Sequence, residues 1–369
     1  MEHRFSGPAF TIGIEEELML VDPETLGLSQ GIEAILADVD EGGIGQVKPE
    51  LMQSVLEIAT GICRDLGEAA NQLGQLRERV RGCAERNGML VAASGTHPTA
   101  RWEDQLIVDR PRYRELAAEL GWIARQELIF GTHVHVGVSG ADKAIYIADG
   151  VRRHIPLMLA LSTNSPLWRG EDTGMMSART PIFRHFPRVG VPPHYGSWEI
   201  FSRRVELMTT AGAIPDYTYL WWDVRPHPNL GTVEVRAFDQ QTRLEDTISL
   251  AALSVCLVHR YASNFDAGEP LVEVPTELID DNKVRASLHG LEGPLIDLPR
   301  SRQAAATELA HETIEELRPD ARQLGCEDAL DGLLKLIEAG TGARRQLRTL
   351  EEEGGTEGLI RRLCKETEA

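Results

Sequence analysis

Three short runs set charged or ligating side chains two residues apart inside otherwise apolar sequence: "TIGIEEELMLVD" from Thr11, "GTHVHVGV" from Gly131 and "GTVEVRAFD" from Gly231. Side chains two apart share one face of a strand. Read as strands, Glu15 and Glu17 point together, while Ile12, Ile14, Leu18 and Leu20 line the other side and Glu16 alone breaks it. His133 and His135 share a face with Val134, Val136 and Val138 behind, and Glu234 and Arg236 share one with Val233, Val235 and Ala237 behind. If the three strands belong to one sheet, its polar face is a site. Glu57 in "KPELMQSVLEIATG" is a fourth candidate, either on a helix face with Glu50 and Ser54 or on a strand around "SVLEIAT"; the pattern leaves both open.

Several carboxylates converging on an imidazole cannot all stay ionised in a confined space without a cation. An oxygen-rich set with a histidine or two suits Mg²⁺ or Mn²⁺ better than Zn²⁺, which prefers closed tetrahedral nitrogen and sulfur ligation. More carboxylate charge than one ion neutralises points to more than one metal. The bland readings are an ion pair between Glu16 and an arginine, a cross-strand pair between Glu234 and Arg236, and a structural His135. A zinc hydrolase built on His133, His135 and a glutamate is the alternative from another class, although no HExxH or HxxEH context accompanies the histidines. A nucleotide-binding protein without catalysis is a third.

The elements that must position these residues are legible as short β-like runs, the three above plus "GMLVAASGTHP", set between long stretches with apolar residues three and four apart. Those helical stretches are "LGEAANQLGQLRERVRGCAER", "PRYRELAAELGWIARQEL", "ADKAIYIADGVRRHIPLMLALS", "RLEDTISLAALSVCLVHRYAS" and "RQAAATELAHETIEELRPDARQLG". Strands and helices do not alternate regularly, and neither GxGxxG nor GxxxxGK[ST] follows a strand. This favours an α+β, mostly antiparallel arrangement over a Rossmann or P-loop fold. Residues 164–204, rich in Pro, Gly, Arg and aromatics, read as one long ordered loop, and from about Ser301 the chain reads as helical to its end.

The 369 residues, 42% hydrophobic and 26% charged, are those of an ordinary folded protein, and the net charge of −19 opposes binding to nucleic acid or an anionic membrane. The five cysteines form no CxxC pair, the start "MEHRFSGPAF" has no signal-peptide pattern, and no run approaches the length of a membrane span, so a soluble cytoplasmic protein with free thiols is expected. Apolar helical faces allow a homo-oligomer, a dimer first.

Six segments together, "TIGIEEELMLVD", "GTHPTARW", "IFGTHVHVGV", "NSPLWRGEDTGMMSAR", "WWDVRPHPNLGTVEVRAFDQ" and "GTGARRQL", resemble the bacterial carboxylate–amine ligases of glutamate–cysteine ligase family 2, over residues from about 10 to about 350. The resemblance implies a glutamine-synthetase-like catalytic domain spanning residues 1–369, with residues from about 301 as its helical C-terminal part. It places ATP and Mg²⁺ on a concave antiparallel sheet flanked by helices. It further implies that the side-chain carboxylate of L-glutamate attacks the γ-phosphate of ATP, and that the amine of L-cysteine then displaces phosphate to give γ-glutamylcysteine and ADP. Glu15, Glu17, Glu57, His133 and Glu234 match the family's metal ligands, and Arg236 matches an arginine that contacts the transferring phosphoryl group. For the substrate α-carboxylate, Arg179 and Arg225 are the candidates. Trp168, Trp221 and Trp222 could wall an adenine, and Trp222 is assigned to the nucleotide.

Overall fold

The computed structural model describes residues 1–39, 44–297 and 300–368. Its strands are β1 (Ile12–Val21), β2 (Gln46–Pro49), β3 (Val55–Ala59), β4 (Leu90–Ala92), β5 (Gly131–Gly137), β6 (Leu167–Trp168), β7 (Glu171–Asp172), β8 (Val189–Gly190), β9 (Trp221–Trp222), β10 (Val224–His227), β11 (Thr232–Asp239), β12 (Pro294–Asp297) and β13 (Arg302–Ala305). Seven of them form one sheet in the order β10-β11-β5-β1-β3-β2, with β4 also paired to β1, and every pair in it is antiparallel. The segment around Glu57 is therefore a strand. β1 is central and takes β5 and β3 as neighbours.

The helices are α1 (Ile32–Asp38), α2 (Leu66–Arg86), α3 (Pro111–Leu120), α4 (Trp122–Arg125), α5 (Ala141–Val151), α6 (Ile155–Ser162), α7 (Arg179–Phe183), α8 (Trp198–Thr210), α9 (Leu244–Asp266), α10 (Thr276–His289), α11 (Ala306–Leu324), α12 (Glu327–Ala339), α13 (Gly342–Glu352) and α14 (Thr356–Thr367). α2, α5, α6 and α9 cover one face of the sheet. There Ile12, Ile14, Leu18, Val134, Val136, Val233 and Val235 join the buried stripe of α2 (Leu66, Ala69, Leu73, Leu76, Val80) and the apolar length of α9 in the main core. The three- and four-residue spacing of that stripe is what keeps α2 helical and seated, and Asp65 caps its first turn by accepting the Glu68 N–H.

Three expectations change in detail. The 164–204 stretch is not one loop: a β6–β7 hairpin, the five-residue α7 and the start of α8 lie within it. Those elements are too short to show a period, and α8 announces itself only through its Ser197 cap, which accepts the Ile200 N–H. "PRYRELAAELGWIARQEL" breaks at Gly121, whose φ of 56° ends α3, and "ADKAIYIADGVRRHIPLMLALS" breaks into α5 and α6 ahead of Pro156. The C-terminal part opens with β13, paired to β12, before its helices begin. Those helices return to the sheet: Leu359, Ile360 and Leu363 of α14 pack with Met19, Val21 and Val55, and Thr367 Oγ1 accepts the Ala93 N–H. No helix among the described residues is long and apolar enough to cross a membrane.

Candidate active site

The other face of the sheet floors a cleft of about 340 Å³. Strand register places the candidates in rows across it. Glu15 lies opposite His133, Glu17 opposite Glu57, Glu57 opposite Lys48, and Glu234 opposite both His135 and Arg225. A register shift in β11 between Val235 and Phe238 frees Arg236 from the ladder, and its N–H donates instead to the Asp223 carbonyl. The three polar pairs read from the sequence therefore do share one sheet and one face.

Across this floor the charge is uneven. At the β10–β11 end, Arg225 donates from Nε (2.5 Å) and Nη2 (3.3 Å) to the Glu234 carboxylate, and Arg236 Nη1 adds a third bond at 2.6 Å. Burial pushes the Glu234 carboxyl up, but the two guanidinium groups outweigh it and hold it well below the usual carboxylate range. Glu15 is held down in the same way, by hydrogen bonds and charge from His133 and His135 against burial. Toward β3 and β2 the acids outnumber the cations. Glu57 has Lys48 at 3.0 Å, yet burial and the charge of Glu15 push it to about 7. Burial and the charges of Glu57 and Glu17 push Glu50 well above its usual value. Glu127 is pushed to about 8 by burial and by Glu17.

A divalent cation fits this face. The ligand atoms of Glu15, His133 and Glu234 lie within 4.8 Å of one another, and the Nε2 atom of His133 is buried with no hydrogen-bond partner. His133 Nδ1 is 3.2 Å from Glu15 Oε2 and 3.4 Å from Arg236 Nη1. We assign the proton to Nδ1, facing the closer and negatively charged acceptor, which leaves a lone pair at Nε2 for a metal. His135 Nδ1 meets Thr232 Oγ1 at 3.1 Å, and its Nε2 is 3.6 Å from Glu15. Glu234 is the least available ligand of the five, because three guanidinium N–H bonds already occupy it.

Two substrate expectations are corrected. Arg225 lines the cleft but is spent on the structure: besides its bonds to Glu234, Nη1 donates to the Thr218 and Leu220 carbonyls, so it braces Glu234 rather than offering a free fork. Trp222 does not line the cleft, whereas Trp221, its neighbour in β9, does; both tryptophans pack against the cluster that holds Phe201, Tyr217 and Tyr219. Trp168 packs at the edge of the second core cluster. Arg179, by contrast, reaches the cleft from the start of α7, is 6% exposed, and has a buried Nε with no partner.

Of the other cleft residues, the sequence reading points to Trp221 and Glu50 and to none of the rest. Tyr113 and Leu116 of α3, Phe183, Phe186 and Trp221 make an aromatic and apolar wall, and Lys48, Glu50 and Glu127 are charged members. The signal for Lys48 and Glu50 was a polar pair two residues apart at the end of β2, in "VKPEL"; Glu127 sits just ahead of the buried run Leu128–Ile129–Phe130 and carried no periodic mark. Several residues of the six recognised segments prove to be scaffolding instead. Asp239 accepts from the Asn164 N–H, Ser165 and Ser177, Gln346 donates twice to Asn164, and Gln240 Oε1 accepts from Thr132 and from the Glu17 N–H. That buried network fixes the start of α7 and the backbone of Glu17.

Among known proteins, the profile of "Glutamate-cysteine ligase family 2 (GCS2)" matches residues 11–366. A Rubrobacter xylanophilus protein named "Putative glutamate--cysteine ligase 2-1" is 44% identical over 354 residues, covering 96% of this chain and 94% of that protein. A Sorangium cellulosum protein named "Putative glutamate--cysteine ligase 2" is 41% identical, covering 92% and 91%. Among solved structures, glutamate–cysteine ligase from Francisella tularensis in complex with AMP superposes with a TM-score of 0.74 at 13% identity, covering all of this chain and 90% of that one. The ligase PafA, in complex with the ubiquitin-like protein Pup, does so with 0.55 at 12% identity, covering 96% and 71%. At such identity these two likenesses speak for the fold, which is the glutamine-synthetase-like arrangement expected. By its sequence, this chain belongs to glutamate–cysteine ligase family 2.

Proposed function

We propose that this chain is an ATP- and Mg²⁺-dependent carboxylate–amine ligase that activates the side-chain carboxylate of L-glutamate as an acyl phosphate and passes the acyl group to an amine, L-cysteine in the first place, giving γ-glutamylcysteine, ADP and phosphate. The observation that carries this reading is the convergence of Glu15, Glu17, Glu57, His133 and Arg236 on one cleft floor, with a Glu234 carboxylate oxygen within 4.8 Å of the ligand atoms of Glu15 and His133, in a member of this family. Bound there, Mg²⁺ or Mn²⁺ would neutralise phosphate charge and screen it from the attacking carboxylate. Glu15, Glu17, Glu57 and the Nε2 of His133 are the groups that would hold it, with Glu234 contributing as Arg236 turns toward the phosphate.

Phosphoryl transfer asks a protein chiefly for positioning and charge stabilisation. Arg236 suits both needs, because it is held 2.6 Å from Glu234, off the strand ladder, with a buried Nε that has no partner and can turn to a phosphoryl oxygen. Arg179 offers a donor to a substrate α-carboxylate. The aromatic wall of Phe183, Phe186 and Trp221 gives a flat apolar surface for adenine, in place of Trp222. ADP release from ATP, Mg²⁺ and L-glutamate, followed while amines are scanned one by one, tests the proposal. Amine-dependent release is expected, and no turnover with any amino acid would overturn it. So would tight stoichiometric zinc with hydrolysis in the absence of nucleotide.

A further inference from the structure

Glu127 has no part in the reading above. It lies four residues ahead of Gly131, lines the cleft, and its Oε2 is buried with no hydrogen-bond partner. The charges that act on it are Glu17 and, of opposite sign, Arg179 and Arg236. Arg179 is the nearer puzzle. Its guanidinium lies across Gly131, where an added Cβ would come within 2.4 Å of Nη2, 3.0 Å of Cζ and 3.2 Å of Nε, so the glycine is what lets it settle there. The Phe183 ring flanks it, with Cζ 5.8 Å from the ring centre, and Asp239 lies within its field but is already engaged by Asn164, Ser165 and Ser177.

Among the described residues, no ion pair joins Glu127 to Arg179, although both face the same cleft with an unpartnered buried atom. Leaving a buried guanidinium N–H and a buried carboxyl oxygen in one cleft, each without a partner, is costly unless something closes the gap. A ligand carrying one group of each sign would close it.

We propose that Glu127 and Arg179 form a clamp for the α-amino-acid head group of the donor glutamate. Arg179 takes the α-carboxylate, Glu127 takes the α-ammonium, and Gly131 is a positioning residue that keeps the guanidinium low on the floor. The inference rests on the ligase reading and adds to it the group that separates an amino acid from a plain dicarboxylate. The donor is the occupant because it keeps both charged groups throughout the reaction. The acceptor must give up its ammonium proton to attack, so a carboxyl beside that ammonium would serve as a base, and its loss would lower turnover without changing how glutamate and glutarate compare.

L-Glutamate and glutarate, which lacks only the ammonium, decide the matter. Glu127→Gln should raise the KM for L-glutamate about tenfold or more, the range of a lost charged hydrogen bond, while the Ki of glutarate against L-glutamate and the Mg²⁺ requirement stay within about twofold. Gly131→Ala and Arg179→Lys should weaken both ligands, and Glu127→Asp should restore part of the glutamate affinity. Equal losses for glutamate and glutarate in Glu127→Gln, or a raised Mg²⁺ requirement, would overturn the clamp and make Glu127 a structural group or a further cation ligand. Should the wild-type protein turn over with no amine at all, the ligase reading falls by itself. Calorimetric binding of L-glutamate against glutarate, to wild type and Glu127→Gln, then still judges the clamp.

Discussion

Glu16 and its neighbours Glu15 and Glu17 carry the same side chain on one strand, yet the two faces of β1 treat them in opposite ways. Glu16 is fully buried and fully answered: Arg77 of α2 donates to both of its oxygens at 2.7 and 2.8 Å, Thr247 adds a third bond at 2.6 Å, and Arg77 spends further donors on the Thr242 and Gln241 carbonyls. The pair ties β1 to α2 and to the start of α9. On the cleft face, Glu17 lies opposite another glutamate and is bonded to the backbone N–H of Gly131, with Glu50, Glu57 and Glu127 close by and Lys48 paired to one of them. A closed polar network holds a fold together, whereas an open one is held in place by the fold and waits for a ligand.

The largest effect expected from breaking this contrast is on the closed side. Arg77→Met leaves a buried carboxylate without its partner and should cost roughly 3–5 kcal/mol of folding stability. The double variant Glu16→Leu with Arg77→Met, which removes both charges, should recover most of that loss. Denaturant midpoints of the two singles and the double test this as a cycle. Equal instability of the double variant and the singles would mean that the pair is not the unit described.

On the open side the sign of the stability change should reverse at Glu17. Glu15→Gln or Glu17→Gln is expected to lower turnover by roughly 10²–10³-fold, comparable to removing one preorganised charge-stabilising group. The denaturant midpoint of Glu17→Gln without divalent metal should be unchanged or higher, since a charge that raises Glu50, Glu57 and Glu127 has gone, whereas Glu15, held ionised by His133 and His135, should lose some stability as Gln. A variant that unfolds more readily while keeping its turnover would place these carboxylates with Glu16.

The contrast between faces was itself legible in the sequence, because a period of two is a statement about which side chains share a side. It separated Glu15 and Glu17 from Glu16, paired His133 with His135 and Glu234 with Arg236, and foresaw an arginine for Glu16. What it lacked was lateral order. Nothing local says that β1 is flanked by β5 and β3, that Glu234 will face Arg225, or that Arg77, 61 residues on, will be the arginine. For that reason Arg225 read as a free fork, Trp222 stood in for Trp221, and Glu127 passed unseen: each depends on a partner or a side of the cleft that only the assembled sheet defines. His97, in "GTHPTARW", shows the same limit. It is a buried knot rather than a ligand, with Nδ1 accepting the Thr99 and Ala100 N–H groups and Nε2 meeting the Leu26 carbonyl at 3.0 Å.

His97 and the cleft carboxyls give the finest test, since acid should move the closed and open networks in opposite directions. Burial lowers His97 to about 4, so its contribution to stability is present above its ordinary value near 6.5 and is lost as pH falls through about 4, on the order of 2–3 kcal/mol. Glu57 and Glu127 are raised to about 7 and about 8, so their contribution is present in full below about 4.5 and is lost as pH rises through 7 and 8, on the order of 3 kcal/mol for the first and about 5 kcal/mol for the second. Stability measured in chelator should therefore climb as pH is lowered from 8 toward 5 and fall again as it approaches 4. Saturating Mg²⁺ should flatten the part of the alkaline limb that Glu57 sets, because a bound cation answers the same charge that the proton does, and leave the part set by Glu127 and the acid limb set by His97 where they were. A flat profile between pH 8 and 5 in chelator, or an alkaline slope that Mg²⁺ leaves untouched, would show that the cleft carboxylates are already compensated, and the difference between the two faces of β1 would reduce to burial alone.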